Sequence, residues 1–299
     1  IKMQDVMQLI SSARNGSRRD IGRLITIVEN RSPGYNQILD IIRGKRDSFV
    51  IGVTGPPGVG KSTLISRLAS RLSQEGKIAI IMIDASSPFS GGSLLGNRLR
   101  LEESDNIYVR SMATRGSTGG LNFAIGDSLD LLSYLGFKTI MIESVGTGQD
   151  ETDILYYSDL ITMVLSPGLG DEIQAIKAGQ MEIGDFIVLN KADKPEAFVA
   201  EKELMEMLSI PDIAKKHELF RVSCVTGEGI DALTEAIKHA IEMGRKEENV
   251  LEREKERMRR DMESLLRKNE KLLEDLAKRI VSGDISRDKA IKEFLNSLM

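Results

Sequence analysis

Apolar residues recur at helical spacing at the start of the chain: Val6, Leu9 and Ile10, then Ile21, Leu24, Ile25 and Val28, then Ile38, Ile41 and Ile42. Arg31-Ser32-Pro33-Gly34 interrupts the pattern, so residues 1–47 are expected to be separate helices forming an N-terminal extension. From Phe49 the pattern changes. Short apolar runs at Phe49–Val53, Lys77–Ile83, Ile107–Met112, Lys138–Ile142, Leu160–Leu165, Phe186–Leu189 and Leu219–Cys224 read as strands. Helical stretches stand between or after them at Ser62–Leu72, Leu121–Leu135 and Ile230–Met243. The run ending at Asp84 follows the first of these helices so directly that it reads as a parallel strand of a right-handed βαβ unit. The expected fold is therefore α/β, a mostly parallel sheet flanked by helices over residues 48–243. Beyond Gly244, Leu251, Met258, Leu265 and Leu272 fall at a seven-residue interval in charged surroundings. They predict a helix or helical hairpin over 244–299, favoured as a dimerisation arm over a segment folded back on its own domain.

Composition narrows the setting. With 41% hydrophobic residues among 299, the chain can bury a sizeable core, and lacking Trp it must build that core from Ile, Leu, Val and Met. A formal charge of −4 gives no reason to expect nucleic acid or an anionic membrane as partner. The basic clusters at Ser17-Arg18-Arg19 and Arg98–Arg100 read as solvated or nucleotide-proximal charge. A single cysteine, Cys224, leaves no intrachain disulfide framework and fits a reducing compartment. With no long apolar run and no targeting signal read at the first residues, a cytoplasmic protein without membrane contact is expected.

The chemistry begins at Gly55-Pro56-Pro57-Gly58-Val59-Gly60-Lys61-Ser62-Thr63, which satisfies G-x-x-x-x-G-K-[ST] between a strand and a helix. Glycines let backbone N–H groups converge on a phosphate chain, the helix N-terminus adds partial positive charge, and Lys61 adds a full one. Ser62 is expected to ligate Mg2+. Asp84 ends a strand where ligands of open α/β sheets bind, and would serve the magnesium shell, orient water or cap a helix. Glu143-Ser144-Val145-Gly146 ends another strand: the acid reaches toward magnesium while the Gly146 amide meets a terminal phosphate, as in D-x-x-G. Glu replaces Asp here, and Gln149 stands too far from the glycine to inherit a water-positioning role.

Asn190-Lys191-Ala192-Asp193 then supplies base recognition. Asp193 can accept both guanine donors, N1–H and N2–H2, Lys191 covers the base, and Asn190 ties the loop to the phosphate loop; adenine would leave the carboxylate unpaired. Ser223-Cys224-Val225 matches a loop whose amides meet guanine O6, with Cys224 in a small-residue packing role.

Together these segments closely resemble the methylmalonyl-CoA mutase-associated GTPases, the MeaB or ArgK type, from about Gly16 to Ile241. The most specific pieces are Gly16-Ser17-Arg18-Arg19, Gly55–Thr63, Asp84 with Ser86-Ser87, Gly91–Gly96, Glu143–Gln149 and Gly170–Gln174. The resemblance implies a homodimeric GTPase that binds GTP, GDP and Mg2+ and chaperones an adenosylcobalamin-dependent methylmalonyl-CoA mutase, gating cofactor loading and protecting the enzyme. It implies that Lys61, Ser62, Asp84 and Glu143 serve phosphates and magnesium, Arg100 belongs to a first switch, and Lys177 to a switch that senses the mutase. Asn97 departs from the family pattern by standing where Asp is usual, and turnover without the partner is expected to be slow. A GTP-dependent metallochaperone, a small-molecule kinase and a GTP-binding scaffold are the competing readings; two histidines, His217 and His239, and one cysteine speak against the first.

Overall fold

The computed structural model describes residues 2–44, 47–84, 105–113, 124–144, 157–168, 184–209, 217–244 and 269–297, with single positions between 251 and 266. They fall into two compact units, residues 1–245 and 246–299.

In the first unit, helices α1 (Met3–Arg14), α2 (Arg18–Asn30) and α3 (Tyr35–Ile42) precede strand β1 (Phe49–Thr54) and helix α4 (Lys61–Leu72). Strands β2 (Ile78–Asp84) and β3 (Ile107–Ala113), helix α5 (Ala124–Tyr134) and strands β4 (Thr139–Glu143), β5 (Leu160–Leu165) and β6 (Phe186–Leu189) follow. Helix α6 (Ala197–Leu208), strand β7 (Glu218–Arg221) and helix α7 (Ile230–Met243) complete it. The strands form a seven-stranded sheet in the order β3-β2-β4-β1-β5-β6-β7, and every adjacent pair is parallel. Parallel strands are covered on both faces, which is why they read as unbroken apolar runs. On one face Val50, Ile140 and Ile142 pack with Ile81, Leu24, Leu129 and Leu132 beneath α2 and α5. On the other, Ile51, Val53, Met141 and Val188 pack with Leu64, Leu68, Leu233 and Ile237 of α4 and α7.

The structure adds three things to the expected pattern. β2 is parallel to β1 but not its neighbour: β4 lies between them, with Glu143 in register with Val53 on one side and Met82 on the other. β7 ends at Arg221, because Ser223 N–H turns back to the Glu228 carbonyl and Gly227 N–H to that of Ser223. Val222 and Cys224 remain apolar because they are buried under α7. Helix α6 is an element beyond the expected pattern; Ala200, Leu204 and Met207 bury against Met163, Ile187 and Leu189 of β5 and β6.

The second unit contains α8 (Glu270–Val281) and α9 (Arg287–Ser297), which close on Leu276, Ile285, Ala290 and Phe294. Arg279 donates to Glu293 across this hairpin at 2.7 Å.

Candidate nucleotide site

The loop joining β1 to α4 lies at the carboxyl edge of the sheet, where open α/β folds place ligands. Two of its glycines are required by close approach. At Gly55 (φ +134°) a Cβ would run into the Val164 carbonyl oxygen, and at Gly60 (φ +102°) into the Asn190 amide nitrogen. Gly60 is also the N-cap of α4 and brings no side-chain acceptor, so the first-turn N–H groups face the loop as an anion-binding end. Lys61 is buried, and its ammonium donates to the carbonyls of Gly55 at 2.6 Å and Pro56 at 3.0 Å. Val59 is fully buried and anchors the loop in the core, whereas Thr63 is exposed.

Ser62 Oγ donates to Glu143 Oε1 at 2.6 Å. Glu143 is buried at the end of β4. The next residue, Ser144, donates from Oγ to Thr54 Oγ1 at 3.0 Å and pins β4 to the end of β1. Insertion of β4 therefore puts the Glu143 carboxylate, on the strand adjoining β1, against the serine of the loop. Asp84 ends β2, one strand further out, and only its backbone lies among the described residues. Gly146, Asn97, Arg100 and Lys177 lie outside them.

A hydroxyl and a carboxylate oxygen side by side are hard donors of the kind Mg2+ accepts, usually as one or two carboxylates plus substrate phosphates rather than an all-protein cage. Among the described residues no three His, Cys, Asp or Glu side chains converge as a metal-binding group.

The base-reading segment is tied directly to this loop. Asn190 Nδ2 donates to the Val59 carbonyl at 2.8 Å, and Lys191 Nζ donates to that of Gly58 at 2.7 Å. Lys191 itself takes a left-handed backbone conformation, φ +61°. Asn190 Oδ1 accepts from the Cys224 N–H at 3.2 Å, joining the 223–225 loop to the same cluster. Ser223 Oγ donates to Asp193 Oδ1 at 2.5 Å, and this bond holds the Asp193 carboxyl below the ordinary carboxylate range. Cys224 is buried and its thiol is pushed up to about 11 by burial, so it packs rather than attacks. Val225 is exposed. The structure thus brings Gly55–Ser62, Glu143, Asn190, Lys191, Asp193, Ser223 and Cys224 into one site. It also adds Arg67 of α4, which the sequence did not single out: its Nε donates to the Cys224 carbonyl at 3.0 Å.

Known proteins match most of this chain. The sequence profile described as Methylmalonyl Co-A mutase-associated GTPase MeaB matches residues 21–279. This chain belongs to that family. A protein of Pyrococcus abyssi named as a GTPase is 39% identical over 284 residues, 93% of this chain and 85% of that one. A Caenorhabditis elegans protein named methylmalonic aciduria type A homolog, mitochondrial, is 35% identical over 227 residues, 68% of this chain and 57% of that one. The crystal structure of an LAO/AO transport system kinase superposes with a TM-score of 0.71 at 23% identity, covering 100% of this chain and 99% of its own. HypB from Helicobacter pylori, in complex with nickel, does so with a TM-score of 0.52 at 16% identity, covering 69% and 94%. At those identities the two structures establish for this MeaB-family chain the P-loop fold alone.

Proposed function

We propose that this P-loop GTPase of the MeaB type chaperones an adenosylcobalamin-dependent methylmalonyl-CoA mutase, gating cofactor loading and protecting the enzyme from inactivation. The family's name and that of the nematode relative support the partner. The observation that carries the nucleotide assignment is the link from phosphate loop to base loop, Val59–Asn190–Cys224, with Asp193 fixed beside it by Ser223.

In this reading the amides of residues 55–60 and the first turn of α4 wrap the phosphates of GTP or GDP. Lys61 exchanges the carbonyls of Gly55 and Pro56 for the outer phosphates, while Thr63 supplies a further contact from the first turn. Ser62 and Glu143 would hold Mg2+, with Asp84 serving the same shell or orienting the attacking water. Bound magnesium would neutralise charge that builds between the outer two phosphates. Gly146 senses the terminal phosphate; Asn97, Arg100 and Lys177 belong to segments that switch with it. Asp193 accepts the guanine N1–H and N2–H2 donors, Lys191 covers the ring, and the amides of the Ser223–Val225 loop meet O6. ATP is rejected because adenine leaves the Asp193 carboxylate without donors. The protein works in the cytoplasm as a homodimer joined through residues 244–299, with residues 1–47 as a packed extension and 48–243 as the GTPase domain; it uses neither nucleic acid nor membrane. Among the described residues no helix is long and apolar enough to cross a bilayer.

Purification from native extract, followed by GTP turnover assays with a methylmalonyl-CoA mutase added, tests this. Co-purification and a rise in turnover are expected. Turnover indifferent to the mutase but raised by a hydroxyl or guanidino acceptor would move the assignment to a small-molecule kinase.

A further inference from the structure

Beyond its first turn, helix α4 makes a separate set of contacts on its outer face. Arg67, Arg71 and Glu75 stand four residues apart on and just beyond α4, so they share one face. Each meets the segment that follows β7: Arg67 Nε the Cys224 carbonyl at 3.0 Å, Arg71 Nε Asp231 Oδ1 at 2.6 Å, and Glu75 Oε1 the Lys238 ammonium at 2.7 Å. The last two are exposed ion pairs and contribute little stability. The first differs in kind, because its acceptor is a backbone carbonyl of a buried residue in the loop expected to meet the base.

We propose that Arg67 is a specificity-determining positioning residue: by holding the Cys224 carbonyl it orients the peptide unit between Cys224 and Val225, whose N–H reads the 6-oxo group of guanine. The carbonyl of Cys224 and the N–H of Val225 belong to one planar trans unit and point in opposite directions. An anchor on the α4 side therefore turns the N–H away from α4. The Cys224 N–H on the other side of the residue is held by Asn190 Oδ1, so the loop is fixed at both ends of that residue. Arg67 reaches the nucleotide only through this loop, and the inference rests on the guanine reading above.

The test is equilibrium binding of GDP, inosine diphosphate, the diphosphate of 2-aminopurine riboside and ADP to the wild-type chain, Arg67→Leu and Arg67→Lys. Inosine keeps the 6-oxo group and lacks the 2-amino group; 2-aminopurine is the reverse. In Arg67→Leu the preference for GDP over the 2-aminopurine nucleotide should fall about fivefold, the size of one hydrogen bond. The preference for GDP over inosine diphosphate, which depends on Asp193, should stay within twofold of wild type, about 0.4 kcal/mol. Arg67→Lys, which retains a donor, should recover part of the loss. Unchanged selectivity in Arg67→Leu, or both preferences falling together, would overturn the assignment while leaving guanine recognition standing. A wild-type chain that binds ADP as well as GDP would remove both.

Discussion

Ser62 and Glu143, 81 residues apart in sequence, share a 2.6 Å hydrogen bond at the mouth of the phosphate loop. Their meeting depends on β4 lying beside β1, which brings the end of one strand to the first turn of the helix leaving the other. If the pair holds Mg2+, Glu143→Gln keeps an acceptor for Ser62 but removes the charge. The apparent Mg2+ affinity of the GDP complex should then drop roughly 10- to 100-fold, with GDP binding in chelator unchanged. Calorimetric titration of Mg2+ into the GDP complex measures this; equal affinity in the variant would exclude Glu143 from the metal shell.

Gly60→Ala probes the contact between phosphate loop and base loop. A Cβ there collides with the Asn190 amide and the residue must hold φ +102°, a conformation costing an L residue about 1–3 kcal/mol. Both a lower melting temperature and a GDP affinity weakened by at least about tenfold are expected, because Asn190 loses its place on Val59. Wild-type affinity in a folded variant would show that the loops act independently.

Cys224 gives a pH prediction. The native thiol titrates at about 11 against an ordinary value of 9.0, so the folded chain keeps a proton that the unfolded chain releases. This contribution to stability is complete below pH 9 and is lost as pH rises through 9 to 11. Cys224→Ala should flatten that part of the stability curve. At pH 8 the native thiol should resist an aromatic disulfide reagent until denaturant is added; rapid labelling of the native chain would contradict its burial.

Most strands were legible because each is buried on both faces and so forms an unbroken apolar run; β1, β4, β5 and β6 are buried at every position. Their order was not, since nothing in the residues of β4 says that it inserts between β1 and β2. Helix α6 is not legible in the sequence because exposed Phe198, Val199 and Met205 blur the stripe formed by Ala200, Leu204 and Met207. Of the site, the residues that carry motifs were legible, whereas Arg67 was not, because a bond to a main-chain carbonyl leaves no signature in sequence. Gly16-Ser17-Arg18-Arg19 shows the same limit. Gly16 turns at φ +96°, Ser17 caps α2 through Asp20, and Arg18 Nη2 donates to the Ile107 carbonyl at 3.0 Å. Ile107 opens β3, at the edge of the sheet opposite the phosphate loop, so Arg18 anchors the N-terminal helices instead of standing near the nucleotide.

Arg18→Leu accordingly should cost about 1 kcal/mol of unfolding free energy in urea. GDP affinity should be unchanged. A variant of native stability that binds GDP more weakly would return this motif to the nucleotide.

In the proposed function guanine is read by the carboxylate of Asp193, held in place by Ser223. The most direct measurement is the affinity of the wild-type chain and of Asp193→Asn for GDP and for xanthosine diphosphate. The wild-type chain should favour GDP by more than about a hundredfold, and the variant, whose amide can donate to the xanthine 2-oxo group, should reverse that order. An Asp193→Asn chain that still selects GDP would contradict it.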